Sequence, residues 1–166
     1  MTAFDPLFVS HGSPMLALDP GDVGRFWEGL AASMPRPKSV LCVSGHWNTA
    51  SPAVSAAAQP ATIHDFYGFP EPLYRQKYVT PGAPDLGARV STLLYEAGIP
   101  HGVDPERGLD HGAWVPAMLG WPEADIPIFQ LSVQPHRSPA DHIALGRKLT
   151  PLTEEGVLVM GSGRKA

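Results

Sequence analysis

Continuous apolar runs alternate along this chain with segments in which apolar residues recur every three or four positions. The runs predict buried strands, and the helical spacing predicts helices that pack on those strands by one face. Such an alternation is typical of an α/β fold, so we expect a layered α/β/α domain around a mixed, mostly parallel sheet. Strands are predicted at 7–9, 39–44, 99–103, 126–133 and 157–160, and helices at 22–34, 84–97, 110–119 and 139–152.

Capping and turn residues set the predicted ends of these elements. Asp22, Asp110 and Ser138 each precede a helical pattern and are predicted to cap it. The segment 161–163, Gly-Ser-Gly, is predicted to turn the chain out of the last strand. The Pro- and Gly-rich segment 48–83 is long for a plain loop, which indicates a function or short elements within it. One face of the first predicted helix is expected to pack on the core, and its residues are Val23, Phe26, Trp27, Leu30, Ala31 and Met34.

Composition and charge narrow the class of protein. A length of 166 residues suits a single domain, 1–166. The composition, with 43% hydrophobic and 17% charged residues, is typical of a folded globular chain. A net charge of -4 without a basic cluster argues against nucleic-acid binding, and no apolar run approaches the roughly 20 residues of a membrane span. The N-terminus shows no signal-peptide pattern and Cys42 is the single cysteine, so we expect a cytoplasmic protein with Cys42 in its core.

Two histidines follow predicted strands in matching contexts. His11 comes after the strand 7–9 and His46 after the strand 39–44, each beside a glycine. Because ligands of open α/β sheets collect beyond the carboxyl ends of strands, the two imidazoles are predicted to meet on one metal ion. The alternative for each is a loop histidine that only forms hydrogen bonds.

The other five histidines are assigned from their surroundings. His111 lies between Asp110 and Gly112 at a predicted helix start, where a neutral imidazole either acts as an acid–base catalyst or serves only the helix end. His64 precedes Asp65 in an aromatic segment, and it either lines a pocket or fixes the loop. Solvent exposure is expected for His101, His136 and His142, and for His142 the alternative is a hydrogen bond within its own helix.

Motifs of several other enzyme classes are missing from the sequence. There is no G-x-S-x-G, no P-loop, no G-x-G-x-x-G and, with one cysteine, no cysteine-based zinc spacing. A metal-dependent hydrolase on a similar sheet is a weak alternative, because no carboxylate stands in ligand spacing with His11 or His46.

Taken together, these residues resemble those of the class III extradiol ring-opening dioxygenases, and within that family the DOPA 4,5-dioxygenase-like subgroup. The matching motifs occur in the same order and cover nearly the whole chain. They span 11–15, 35–37, 43–47, 62–70, 78–82, 110–114, 122–127, 130–132, 145–149 and 161–163.

The resemblance implies a mononuclear non-haem metal enzyme that opens a catechol-type ring with O2. Fe(II) is the metal expected for catalysis, and Zn(II) is expected to fit the same site. Carried over, His11 and His46 are metal ligands, His111 is a catalytic acid–base beside the substrate, and His64 binds substrate. Two imidazoles and a third protein ligand leave open positions at the metal for the reactants. The implied partners are a small aromatic diol and O2, without nucleic acid or membrane, and a homo-oligomer is left open.

The last residues depart from the family pattern. In relatives, the Gly-Ser-Gly segment continues into a stretch with a His-Asn pair, the usual acid–base, and a later region supplies the third metal ligand. Here Arg164, Lys165 and Ala166 follow. We therefore expect a chain truncated at its C-terminus, with impaired activity and exposed apolar surface that favours self-association. The alternative is a non-catalytic α/β module that binds a metal or an aromatic ligand, with a third ligand from His64, His111 or another subunit.

Overall fold

A six-stranded sheet runs through residues 3–164, the part of the chain that the computed structural model describes. The strands are β1 (Leu7–Ser10), β2 (Ser39–Asn48), β3 (Ala53–Ser55), β4 (Gly102–Asp104), β5 (Ile128–Val133) and β6 (Val157–Gly163). Their spatial order is β1-β6-β2-β5-β3-β4. The first four strands in this order are parallel, whereas β3 pairs antiparallel with β5 and parallel with β4. The predicted α/β fold with a mixed, mostly parallel sheet is therefore confirmed.

Helices cover both faces of this sheet. They are α1 (Gly21–Ser33), α2 (Glu71–Tyr74), α3 (Pro84–Glu96), α4 (His111–Gly120), α5 (Pro139–Lys148) and α6 (Thr150–Glu154), with a 3-10 turn at Pro14–Ala17. Side chains of β2 alternate between the two faces. Val40 and Cys42 pack with Trp27 of α1 and Trp114 of α4, while Leu41 packs on the opposite side, in the cluster that includes side chains of α3 and α6. Cys42 is fully buried, as predicted.

β2 is longer than the sequence predicts, and the difference concerns the candidate site. The predicted end is Ser44, but the strand continues to Asn48, with an irregular register against β5 after Val43. His46 therefore lies within the last part of the strand instead of just beyond it. The extended backbone fixes the direction in which this side chain leaves the sheet.

β6 also continues further than predicted. The segment 161–163 was expected to turn, but it stays extended because it pairs in parallel with β1, with Ser162 opposite Val9. A side chain at Gly161 would come within 3.1 Å of the Phe8 ring. The small residues that suggested a turn therefore give room to Phe8, and Ser162 is held in a strand at the edge of the candidate site.

The outer face of α1 is more exposed than the sequence predicts. Trp27 is buried, but Val23 is 40% and Phe26 is 64% exposed. Helical spacing identified the apolar positions, but α4 and the turn at 14–17 cover only the side that carries Trp27. The predicted cap is also wrong, because the helix begins at Gly21 without a side-chain cap and Asp22 lies inside its first turn.

Capping residues and a proline account for the other helix ends. Asp110 and Ser138 cap α4 and α5 with their side chains, as predicted. A single helix through residue 152 is wrong: α5 ends at Lys148 and α6 follows, because Pro151 has no N–H to continue the hydrogen-bond ladder. The segment 48–83 contains β3 and α2. Between residues 3 and 164, no helix combines the length and the apolar character needed to cross a membrane.

Phe8 is the residue at which we expect the predicted self-association to occur. Phe8 is 78% exposed on the edge strand β1, and an open strand edge is a template for pairing. We expect the sedimentation coefficient of the protein to rise with concentration, and Phe8→Lys to reduce that rise because the charge opposes edge-to-edge contact. Tyr95, 80% exposed on α3, is the control: Tyr95→Lys should behave as the wild type. A wild-type monomer at all concentrations would contradict the prediction.

Candidate metal and active site

Three histidines converge at the carboxyl ends of the parallel strands. His11 follows β1, His46 lies near the end of β2, and His111 is the first residue of α4. One potential ligand atom of each ring lies within 4.8 Å of those of the other two. The Nε2 atoms of His11 and His46 are 3.0 Å apart. This clustering agrees with the general placement of ligand sites in open α/β sheets.

The two closest nitrogens fit one metal ion. Two nitrogens bound to one ion at about 2.0–2.1 Å are roughly 2.9 Å apart at the right angles of an octahedral site and roughly 3.3 Å apart at the tetrahedral angle that zinc prefers, so the observed separation lies between the two. The same separation of 3.0 Å also suits an N–H···N hydrogen bond between two rings when no ion is bound. The ring centroids of His111 and His46 lie 4.0 Å apart, so His111 is close enough to act at anything held by the pair.

Ser162 fixes the tautomer of His11. The Ser162 hydroxyl donates to the Gly112 carbonyl, so its oxygen is left to accept from the His11 Nδ1 at 3.0 Å. His11 is then protonated at Nδ1 and presents the lone pair of Nε2 to His46. A hydrogen bond on the far nitrogen is the usual way in which a metal-binding imidazole is oriented. Sequence reasoning missed Ser162 because its segment was expected to turn away.

Asp65 holds His111 from behind. Its Oδ1 accepts the backbone N–H of His111 at 2.9 Å and also lies 2.9 Å from the ring Nδ1. Burial raises the pKa of Asp65, but the hydrogen bonds and charge of His111 outweigh burial and lower that pKa below its usual value. A charged carboxylate therefore faces Nδ1 and leaves Nε2 for chemistry. Sequence reasoning chose the neighbouring His64, although a carboxylate in the aromatic segment was a signal for this role.

Asp110 connects the strands to the helix that carries His111. Its carboxylate is fully buried and accepts hydrogen bonds from Ser44 of β2, Gln130 of β5, Arg107 and the Gly112 N–H. All of these distances are between 2.7 and 3.0 Å. Both carboxylate oxygens are used, so Asp110 positions α4 and leaves metal binding to the imidazoles.

Gly112 allows this close approach. A Cβ at residue 112 would lie 2.5 Å from the Ser44 Oγ and 3.2 Å from the His46 Cδ2. The start of α4 thus touches β2 where a larger residue would separate His111 from His46. The close packing of α4 on β2 therefore explains why the 110–114 motif has a glycine directly after His111.

A cavity of about 560 Å³ opens onto the three histidines. Its wall combines imidazoles with two phenylalanines from the segment 64–70, which suits a ligand that is polar on one side and aromatic on the other. The described residues that line it are Ser10, His11, Gly12, Ser13, Pro14, His46, Phe66, Phe69, His111 and Arg164.

The other histidines lie elsewhere. His64 is half-buried, with its Nε2 2.7 Å from the Gln76 carbonyl oxygen and its ring 5.9 Å from that of Trp114. It stands behind the cavity wall and is not among the lining residues. His136 is exposed, as predicted, whereas His101 and His142 are half-buried and each has hydrogen-bond partners.

Burial keeps the candidate ligands neutral, which metal binding requires. Burial, followed by the charges of His46 and His111, lowers the pKa of His11 from 6.5 to about 4. The pKa of His46 is also lowered, first by partial loss of solvation at its ring, although the residue as a whole is exposed, and then by His111. The residues present therefore fit a divalent cation: neutral nitrogens converge, and the Nδ1 of His11 is already hydrogen-bonded.

The lowered pKa of His11 predicts a loss of stability in acid. Above pH 6.5 the His11 ring is neutral in both the folded and the unfolded protein. Between pH 6.5 and about 4, only the unfolded chain takes up a proton at this ring. The free energy of unfolding therefore falls as the pH is lowered through this range. At about 1.4 kcal/mol per pKa unit, and discounted for screening by the solvent in the open cavity, His11 accounts for about 1–3 kcal/mol of that fall. In urea unfolding with a chelator present, His11→Gln should show a weaker pH dependence than the wild type.

The exposed His136 supplies the matched control for this experiment. His136→Gln should lose stability between pH 6.5 and 4 as the wild type does. If His11→Gln and the wild type lose the same free energy over this range, burial of a neutral His11 is not the cause.

Comparison with known proteins finds relatives over nearly the whole chain. The chain is 47% identical over 163 residues to the 4,5-DOPA dioxygenase extradiol of Beta vulgaris, which covers 96% of this chain and 61% of the relative. It is 43% identical over 163 residues to the protein of that name from Escherichia coli strain K12, with 98% and 59% covered. The chain thus spans about 60% of the length of the curated relatives it matches.

A solved structure has the same fold. The crystal structure of an uncharacterized protein from Escherichia coli K12 superposes with a TM-score of 0.68 at 36% identity. The similarity covers 84% of this chain and 51% of that one.

A family model matches almost the entire chain. Residues 6–166 match the catalytic LigB subunit of aromatic ring-opening dioxygenase. This match and the extradiol relatives confirm the resemblance drawn from the motifs. The chain therefore belongs to the family of catalytic LigB subunits of aromatic ring-opening dioxygenases.

Proposed function

We propose that this chain cleaves a catechol-type aromatic ring in extradiol fashion with O2, at a mononuclear non-haem metal held by His11 and His46. The observation that carries the proposal is the 3.0 Å approach of their Nε2 atoms beside the aromatic-walled cavity. Relatives named 4,5-DOPA dioxygenase extradiol, at 43–47% identity, support this reaction type and a small aromatic diol as the substrate class.

Fe(II) is the proposed metal for turnover, and Zn(II) is proposed to bind at the same nitrogens. When bound, a ferrous ion supplies Lewis acidity and a site where diol and O2 are brought together. The neutral, largely buried imidazole of His11 and the exposed imidazole of His46 are donors suited to either ion.

His111 is the proposed proton carrier. Its ring is 4.0 Å from that of His46, centroid to centroid, and only 6% of the residue is exposed. With Asp65 facing Nδ1, His111 takes a proton from a diol hydroxyl at Nε2, and the Asp65 carboxylate stabilises the imidazolium that forms. The proton is then available at Nε2 for return to the product.

The remaining assignments follow from this site. We propose that His64 contributes to substrate binding indirectly, as a positioning residue behind the Phe66 wall, since its ring lies about 6 Å from those of Phe66 and Trp114. We also propose a cytoplasmic protein, because its single cysteine is buried and unpaired, as a reducing compartment favours.

Activity is tested by loading the protein with Fe(II) without oxygen, adding a catechol and then admitting air. We expect O2 uptake in step with catechol loss and a yellow ring-opened product. His11→Ala should lose both metal binding and turnover, because it removes a ligand. His111→Gln should bind metal within about threefold of the wild type and lose turnover by 10²-fold or more, the size expected for a proton carrier.

Each contrary outcome has a distinct meaning. Metal binding without turnover in the wild type would favour a non-catalytic binding module. A large loss of metal affinity in His111→Gln would make His111 a third ligand instead of the proton carrier. Wild-type protein that binds no metal would contradict the assignment of His11 and His46.

A further inference from the structure

One part of the cavity wall has no role yet in the proposed chemistry. Phe66 and Phe69 both line the cavity, and both come from the short segment between Asp65 and α2. Phe66 is 7% exposed and Phe69 is half-buried. Both side chains therefore border the cavity as well as the core.

The two rings continue the wall away from the histidines. The Phe66 ring meets the His111 ring edge-to-face, with centroids 5.7 Å apart and planes at 83°. The Phe69 ring meets the Phe66 ring in the same manner, at 5.3 Å and 79°. A flat ligand bound beside His111 therefore has an aromatic surface next to it, in the geometry that aromatic pairs prefer.

Hydrogen bonds hold this segment from both sides. The Tyr74 hydroxyl of α2 donates to the Phe66 carbonyl and accepts the N–H of Phe69, at 3.4 and 3.3 Å. Tyr74 also packs its ring 5.3 Å from that of Phe66. On the other side, Asp65 is bonded to the backbone of His111. The wall is thus positioned relative to the histidines by contacts at each end.

We propose that Phe66 and Phe69 are specificity-determining residues that select a flat aromatic ring, and that Tyr74 is the positioning residue that holds them. The inference rests on the proposed function, since it concerns the substrate of that site. It adds that the ring of the diol packs on Phe69 while its hydroxyl pair faces the histidines. The side chain of Tyr67, 93% exposed at the tip of the segment, has no part in it.

The test measures binding of 4-nitrocatechol to the zinc-loaded protein by its visible spectrum, without turnover. Phe69→Leu keeps an apolar side chain but removes the flat ring, so the Kd should rise about 2- to 10-fold, as expected for one lost aromatic pair. Phe69→Ala should raise the Kd further. Tyr74→Phe removes only the hydroxyl, and the Kd should rise about 2- to 5-fold. Zinc affinity should stay within about twofold in all three variants.

The control is Phe26→Leu, a matched change at a phenylalanine that is 64% exposed on α1 and does not line the cavity. It should leave both zinc and 4-nitrocatechol binding unchanged. If Phe69→Leu and Phe69→Ala bind the probe as the wild type does, the wall proposal is overturned while the proposed function stands. If zinc-loaded wild-type protein binds no 4-nitrocatechol, the diol site itself fails, and the wall proposal fails with it.

Discussion

The geometry of the site depends on the hydrogen bonds that the buried carboxylate of Asp110 accepts. It is fully excluded from solvent, and four donors satisfy its two oxygens. A buried charge is tolerated only when it is paired and hydrogen-bonded in this way. Because the donors belong to β2, β5, the Arg107 loop and α4, one group sets the position of the helix start that carries His111.

This network explains why the imidazoles meet where they do. Ser44 accepts the backbone N–H of His46 and donates to Asp110, while Gly112 lets α4 approach β2. Ser162 connects the Gly112 carbonyl to the ring of His11. Each imidazole is thus positioned by at least one hydrogen bond to its side chain or backbone, and the three positions are coupled through Asp110 and Gly112. Because the imidazoles are already held in place, less conformational entropy is lost when a ligand binds to them.

The sequence was sufficient for the fold class and for the convergence of His11 and His46. Both depend on local patterns: apolar runs, and the rule that ligands lie beyond strand ends. Ser162 and Asp65 act over 151 and 46 residues, so no local pattern shows which histidine each of them contacts, although the Asp65 carboxylate itself stands out in the aromatic segment. The exposed face of α1 was missed for a related reason, since helical spacing locates apolar positions without showing which neighbour covers them.

In the proposed site, His11 and His46 hold one divalent metal through their Nε2 atoms. X-ray absorption spectroscopy of the zinc-loaded protein tests it most directly, because it reports the number, type and distance of the ligands. We expect at least two imidazole nitrogens at about 2.0–2.1 Å from the zinc, and one fewer in His46→Ala. A shell of oxygens without imidazole scattering, unchanged in that variant, would contradict it.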